Sequence, residues 1–321
     1  MSRLSSQDQM VNILLNDSFD TFTIGSGPND FYYYSLGSGV LADKGFIQSG
    51  PNGTTIGVVP ATLDVTTNSA FEHVKWLAYR NQAFDIPANG CLVSEVTLSA
   101  KQTGIECNPF PVDHVPNPQS DPRLISPSIA TINDQYLITL GTFFTNEVIY
   151  AFYEILPFNK PSYGGPGPDY AAFSSLIPIG CVKDYNDGLV TVGTAISANR
   201  ASWLVNGETR YTTPQLGFYP DPQYIVRDLG GPPVARTISN INLGFGVFTL
   251  LDACLPGKNC CRPGLIQLDD TTYYNPCAIS CVPGQDSPKV PQTFLLPNIP
   301  SNRLWGQGGI LNLKRQVVYT L

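Results

Sequence analysis

Residues 71–80 (FEHVKWLAYR) hold the most reactive grouping in the chain. In an extended strand, Phe71, His73, Lys75 and Leu77 share one face, and Glu72, Val74 and Trp76 share the other. If the first face lines a groove, His73 is an acid or base and Lys75 an electrophilic donor. At the rim of a sheet the same pair is a solvated histidine and a snorkelling lysine. Tyr150, Phe152 and Glu154 alternate on a second stretch, 147–156 (EVIYAFYEIL). A carboxylate among aromatic rings suits a raised pKa and a ligand pocket, with Glu154 as the third catalytic candidate. The plainer reading is core aromatics with an edge glutamate. Glu95 shares a polar face with Thr97, Ser99 and Lys101, either ligand-facing or the solvated side of a sheet. Trp76, Tyr150 and Phe152 are candidate walls of a substrate site, and Glu95 and Trp203 candidate contacts.

Other chemistry finds no pattern. Asn146 and Glu147 sit at a strand junction and either touch a ligand or form a turn. Gly164-Gly165 and Gly230-Gly231 lack the strand–loop–helix setting of a phosphate cradle. No Gly-x-Ser-x-Gly elbow, His-Glu-x-x-His or acidic calcium loop occurs. No metal or cofactor is expected.

The elements that must position these residues are strands. Charged residues are only 13% of the 321, apolar residues 42%, which excludes a disordered chain, a coiled coil and a basic nucleic-acid binder. Glycine (29) and proline (28) are frequent and aperiodic, as in many short strands joined by turns. The net charge of −7 disfavours DNA and anionic lipid as partners. No stretch has the roughly 18 apolar residues of a membrane span.

Residues 92–100 alternate, with Leu92, Ser94, Val96, Leu98 and Ala100 on one face. Residues 136–144 and 147–156 read as neighbouring strands turned at Thr145-Asn146. Residues 201–211 (ASWLVNGETRY) read as a hairpin with Asn206-Gly207 at its tip. Further strands are predicted at 71–79, 188–197, 223–227, 244–251 and 309–319, with loops at 108–127, 157–169 and 228–235.

Eight cysteines, five of them crowded at Cys254, Cys260, Cys261, Cys277 and Cys281, suggest disulfides and a secreted protein, with a cytosolic one as the alternative. Free thiols and zinc are the alternatives, although the spacing lacks the paired knuckles of a zinc site. The sequons at Asn16 and Asn52 fit secretion and a glycoprotein. The expected layout is a β-sandwich over 1–252, a disulfide-rich extension over 253–290 and a returning C-terminal strand within 291–321.

Three segments resemble the concanavalin A-like jelly roll of legume lectins and laminarinase-type glucanases. They are Asn16-Asp17-Ser18-Phe19-Asp20, the hairpin from Trp203 to Glu208 (WLVNGE), and LWGQGGILNL from Leu304 to Leu313. The resemblance implies an all-β, antiparallel sandwich. Glucanases of this fold carry an E-x-D-x-[x]-E strand, which this chain lacks, and Glu147 and Glu154 lie seven apart, on opposite faces of one strand. Hydrolysis by that carboxylate pair is therefore disfavoured.

In general character, a Pro- and Tyr-rich, Cys-containing β protein without a cofactor motif, the chain also resembles the fungal hetero-Diels–Alderases of tropolone sesquiterpenoid biosynthesis. That resemblance implies dehydration of a hydroxymethyl tropolone to an ortho-quinone methide and its addition to a humulene alkene. His73 or Lys75 would supply the proton or hydrogen bond and Trp76, Tyr150 and Phe152 the walls. The leading expectation is thus a cofactor-independent cyclase with a small, largely apolar substrate. The alternative is a lectin-like module binding an oligosaccharide, and a structural protein that binds nothing small is a third. A cyclase needs a deep apolar pocket; a sugar binder needs a shallow polar cleft with aromatic platforms.

Overall fold

The computed structural model describes residues 11–33, 45–59, 75–108, 110–251, 253–255, 265 and 306–321. Sixteen strands among them, numbered β1 to β16 along the chain, form two antiparallel sheets. Sheet I holds β1 (Asn12–Asp17), β3 (Phe46–Gly50), β4 (Gly53–Val58), β6 (Leu92–Thr103), β11 (Val190–Ser197), β12 (Arg200–Val205), β13 (Glu208–Thr212) and β16 (Gly308–Thr320). Its order is β13-β12-β11-β6-β16-β4-β3, with β1 also paired to β16. Sheet II holds β2 (Phe31–Tyr33), β5 (Lys75–Asp85), β7 (Ser126–Asn133), β8 (Ile138–Phe144), β9 (Val148–Ile155), β10 (Phe173–Cys181), β14 (Ile225–Asp228) and β15 (Asn240–Phe248). Its order is β14-β10-β9-β8-β7-β15-β5-β2. The protein is an antiparallel β-sandwich of two sheets.

Side-chain alternation assigns the faces. In β6, Leu92, Val96 and Leu98 point into the space between the sheets, while Glu95 and Thr97 point outward and are only partly buried. In β9, Ile149, Ala151, Tyr153 and Ile155 join the same inter-sheet core. Tyr150, Phe152 and Glu154 therefore lie on the outward face of sheet II.

Trp203 crosses the inter-sheet core. It is fully buried, and its indole N–H donates to the Gly141 carbonyl at 2.6 Å, tying β12 to β8. The hairpin beneath it turns through Asn206 (φ 51) and Gly207 (φ 79), the left-handed pair of a type I′ turn. At the other end of the sandwich, buried Arg80 ties β5 to β1 and β16 through Asp17 and Gln316.

Two buried strands carry no alternation. β7 (SPSIATIN) is buried at every residue, and its serines and threonines blur the apolar pattern. β10 (FSSLIPIGC) contains Pro178, which is paired to Tyr150 of β9 beyond the stretch where β14 covers the other edge.

The disulfide expectation finds no support among the described residues. Cys91, Cys107 and Cys181 carry free thiols, and no disulfide joins described residues. Cys260, Cys261, Cys277 and Cys281 lie outside the described residues, as does nearly all of the 253–290 stretch.

Candidate functional site

The outward face of sheet II divides into two zones. Strand register places Leu176, Phe152 and Gly141 in one row across β10, β9 and β8, with Tyr150 and Phe143 paired in the next row on that side. Phe143 and Phe152 stack with ring centroids 4.6 Å apart. Past β15 the chain turns across this zone. The Leu250 N–H donates to Arg123 O, and the Cys254 N–H donates to Val226 O at the sheet edge. Between those anchors Leu250 and Ala253 pack against Phe143, Tyr150, Phe152, Leu176 and Val226, closing a small second core. The Tyr150 hydroxyl donates to Ser120 O at 2.9 Å, and burial, then the charges of Asp121 and Glu147, push its pKa well up. The Asp121–Arg123 pair anchors the same loop. Arg123 reaches both carboxylate oxygens, and the pair is almost completely buried.

The second zone is polar. One row across four strands reads Arg227, Ser174, Glu154 and Thr139, on β14, β10, β9 and β8. The Ser174 hydroxyl donates to Glu154 Oε1 at 2.6 Å. The row continues through Ile132 of β7 to Asn242 of β15. Beside it Tyr32 and Tyr79 of β2 and β5 face one another, ring centroids 6.3 Å apart. Arg227, Asn242 and Tyr32 are half-buried, whereas Glu154 and Ser174 are buried. Burial and nearby Asp134 raise the Tyr32 pKa.

The predicted residues therefore separate. Glu154 alone joins the polar row. Tyr150 and Phe152 belong to the closed apolar zone beside it. Trp76 and Trp203 are fully buried in the inter-sheet core. Glu95 lies on the opposite surface of the sandwich, where it accepts a hydrogen bond from the Tyr319 hydroxyl at 3.1 Å. Burial and Glu95 together push that tyrosine up to about 12. Lys75 opens β5 opposite Phe248, and His73 lies outside the described residues. Asn146 clasps Gln102 and Gln119, accepting from the Gln102 N–H at 2.8 Å and donating to Gln119 Oε1 at 2.7 Å. Glu147 accepts from Asn117 at 2.6 Å.

Ser174, Thr139 and Arg227 were not singled out in the sequence. Their meeting depends on the register between β9, β8, β10 and β14, which no local pattern states. Among the described residues of the polar row, Glu154 is the one carboxylate. No cluster of three or more His, Cys, Asp or Glu side chains suited to a metal occurs among the described residues. No helix among them is long and apolar enough to cross a membrane.

Residues 16–320 match the model of a family of unknown function, DUF6081. The chain belongs to that family. An uncharacterized protein of Acanthamoeba polyphaga mimivirus is 25% identical to this DUF6081 protein over 95% of the chain and 86% of the relative's own length. Among solved structures, SCLam, a non-specific endo-beta-1,3(4)-glucanase, covers 96% of the DUF6081 chain with 91% of its own (TM-score 0.42, 10% identity). Bacillus licheniformis beta-glucanase does so over 96% and 97% (TM-score 0.39, 9% identity). The apo Crh5 transglycosylase matches 95% of the chain with 82% of its own (TM-score 0.41, 10% identity).

Proposed function

We propose that this protein binds a carbohydrate on the polar zone of sheet II, without cleaving it by paired carboxylates. The observation that carries the reading is the division of that face. Its apolar half is filled by the chain's own Leu250 and Ala253, while its polar half aligns Arg227, Ser174, Glu154 and Thr139 beside a tyrosine pair. Sugars are recognised by that combination, hydroxyls against a carboxylate and a guanidinium and C–H faces against an aromatic ring, here half-buried Tyr32, since Tyr79 behind it is buried. A retaining or inverting hydrolase needs a second carboxylate roughly 5–9.5 Å from the first, and Glu154 has none in its row among the described residues.

The cofactor-independent cyclase is the competing reading, and its apolar wall residues Phe143 and Phe152 are already covered by the chain's own Leu250 and Ala253.

A thermal-midpoint screen with neutral oligosaccharides and with terpene and tropolone mixtures, each followed by product analysis, separates the two. An oligosaccharide at a hundredfold its Kd is expected to add about 2.7 kcal/mol, with no new product. Glu154→Gln is expected to weaken that ligand about tenfold or more, the worth of a hydrogen bond to a charged group. A shift with the apolar mixtures alone, together with a single new adduct, would overturn the carbohydrate reading in favour of the cyclase.

A further inference from the structure

The chain contains three Asn-Gly pairs, Asn52-Gly53, Asn89-Gly90 and Asn206-Gly207. This sequence is where backbone rearrangement is chemically easiest, because glycine offers no side chain to hinder attack by its own nitrogen. The fold treats the three differently. At Asn206 the side chain is held at both ends, accepting from the Thr191 N–H at 3.1 Å and donating to Asp184 O at 2.7 Å. At Asn52 the side chain is exposed, but Gly53 belongs to β4 and is paired across from Gly50. Asn89 is exposed in the loop between β5 and β6, and neither its side chain nor the Gly90 N–H has a hydrogen bond to any described residue.

We infer that Asn89 is a site of spontaneous covalent modification in the folded protein, independent of the ligand reading above. The Gly90 nitrogen attacks the Asn89 side-chain carbonyl carbon and forms the new C–N bond of a cyclic succinimide. The side-chain nitrogen leaves as ammonia, carrying away the proton from Gly90. Water then opens one of the two imide carbonyls, giving aspartate or isoaspartate. No electrons are exchanged, and water is the only co-reactant.

The product places a carboxylate, and in the isoaspartyl form an extra backbone carbon, next to a tight contact. A Cβ at Gly90 would lie 1.9 Å from Leu321 O, and Cys91 and Leu321 are joined by two backbone hydrogen bonds of 3.1 and 3.0 Å. Ageing at Asn89 therefore acts on the place where β6 begins beside the end of β16.

The test incubates the full chain at mildly alkaline pH and follows each Asn-Gly peptide by mass spectrometry and isoaspartyl methyltransferase labelling. Conversion at Asn89 is expected to run about tenfold faster than at Asn206, whose side chain must first release two hydrogen bonds. In urea the rates should converge, since the three dipeptides then differ only in their neighbours. Asn89→Gln should remove the most abundant acidic species on ion exchange. Equal rates in the folded chain, or fastest conversion at Asn206, would overturn the assignment.

Discussion

Arg80→Ala is expected to destabilise the protein by about 3–5 kcal/mol, the cost of breaking a buried ion pair by removing one partner. Arg80 is 1% exposed. Its guanidinium pairs with Asp17 of β1, donates through Nε to Gln316 Oε1 of β16 at 3.0 Å, and donates to Asn29 O at 3.3 Å. It also lies 4.5 Å from the ring centroid of Phe31, which stacks on Phe22. Burial lowers the Arg80 pKa, and the hydrogen bond and charge of Asp17 oppose that shift. The truncated protein would leave the Asp17 carboxylate and the Gln316 amide facing a cavity between the sheets. Asp17 also receives the Phe19 N–H at 2.7 Å, and Phe19 is held at φ 56, so the chain leaving β1 would lose its fixed course. Urea unfolding measures the loss. A change below about 1 kcal/mol would mean that water replaces the guanidinium without cost, and the network would not be a structural tie.

Trp203→Ala is expected to cost a similar amount, about 3–5 kcal/mol, because it removes the largest kind of side chain from a site with no exposed surface. Trp203→Phe should cost less, about 1–3 kcal/mol, chiefly by leaving the Gly141 carbonyl without its donor. The comparison separates two roles for one residue. A tryptophan that stacks on a sugar would give variants of unchanged stability and lost binding. A tryptophan that joins the sheets gives the opposite, lost stability with binding retained in whatever fraction stays folded. The burial and the 2.6 Å hydrogen bond to β8 predict the second pattern.

Much of the architecture was legible because alternation is a local property. The inward Leu92, Val96 and Leu98 of β6 and the Asn206-Gly207 hairpin announced themselves within a few residues. β7 and β10 did not. A strand buried on both faces loses its alternation, and Ser128, Thr131, Ser174 and Ser175, all four buried, interrupt the apolar pattern there.

The site was legible only in part, for a related reason. Alternation says that Tyr150, Phe152 and Glu154 share a face; it does not say whether that face meets the other sheet or turns away from it. It also gives Glu95 and Glu154 the same character, although the fold sets them on opposite surfaces of the sandwich. The tie from Cys254 back to Val226, which turns Tyr150 and Phe152 from a wall into a closed core, joins residues far apart in sequence and left no trace in either segment.

Chemical-shift mapping of the isotope-labelled protein during titration with neutral oligosaccharides shows where a ligand docks. With the ligand on the polar zone of sheet II, the amides of Thr139, Glu154, Ser174, Arg227 and Asn242 move together, and those around Glu95, Thr97 and Thr191 stay unmoved. Shifts confined to the Glu95 surface of sheet I would contradict that placement.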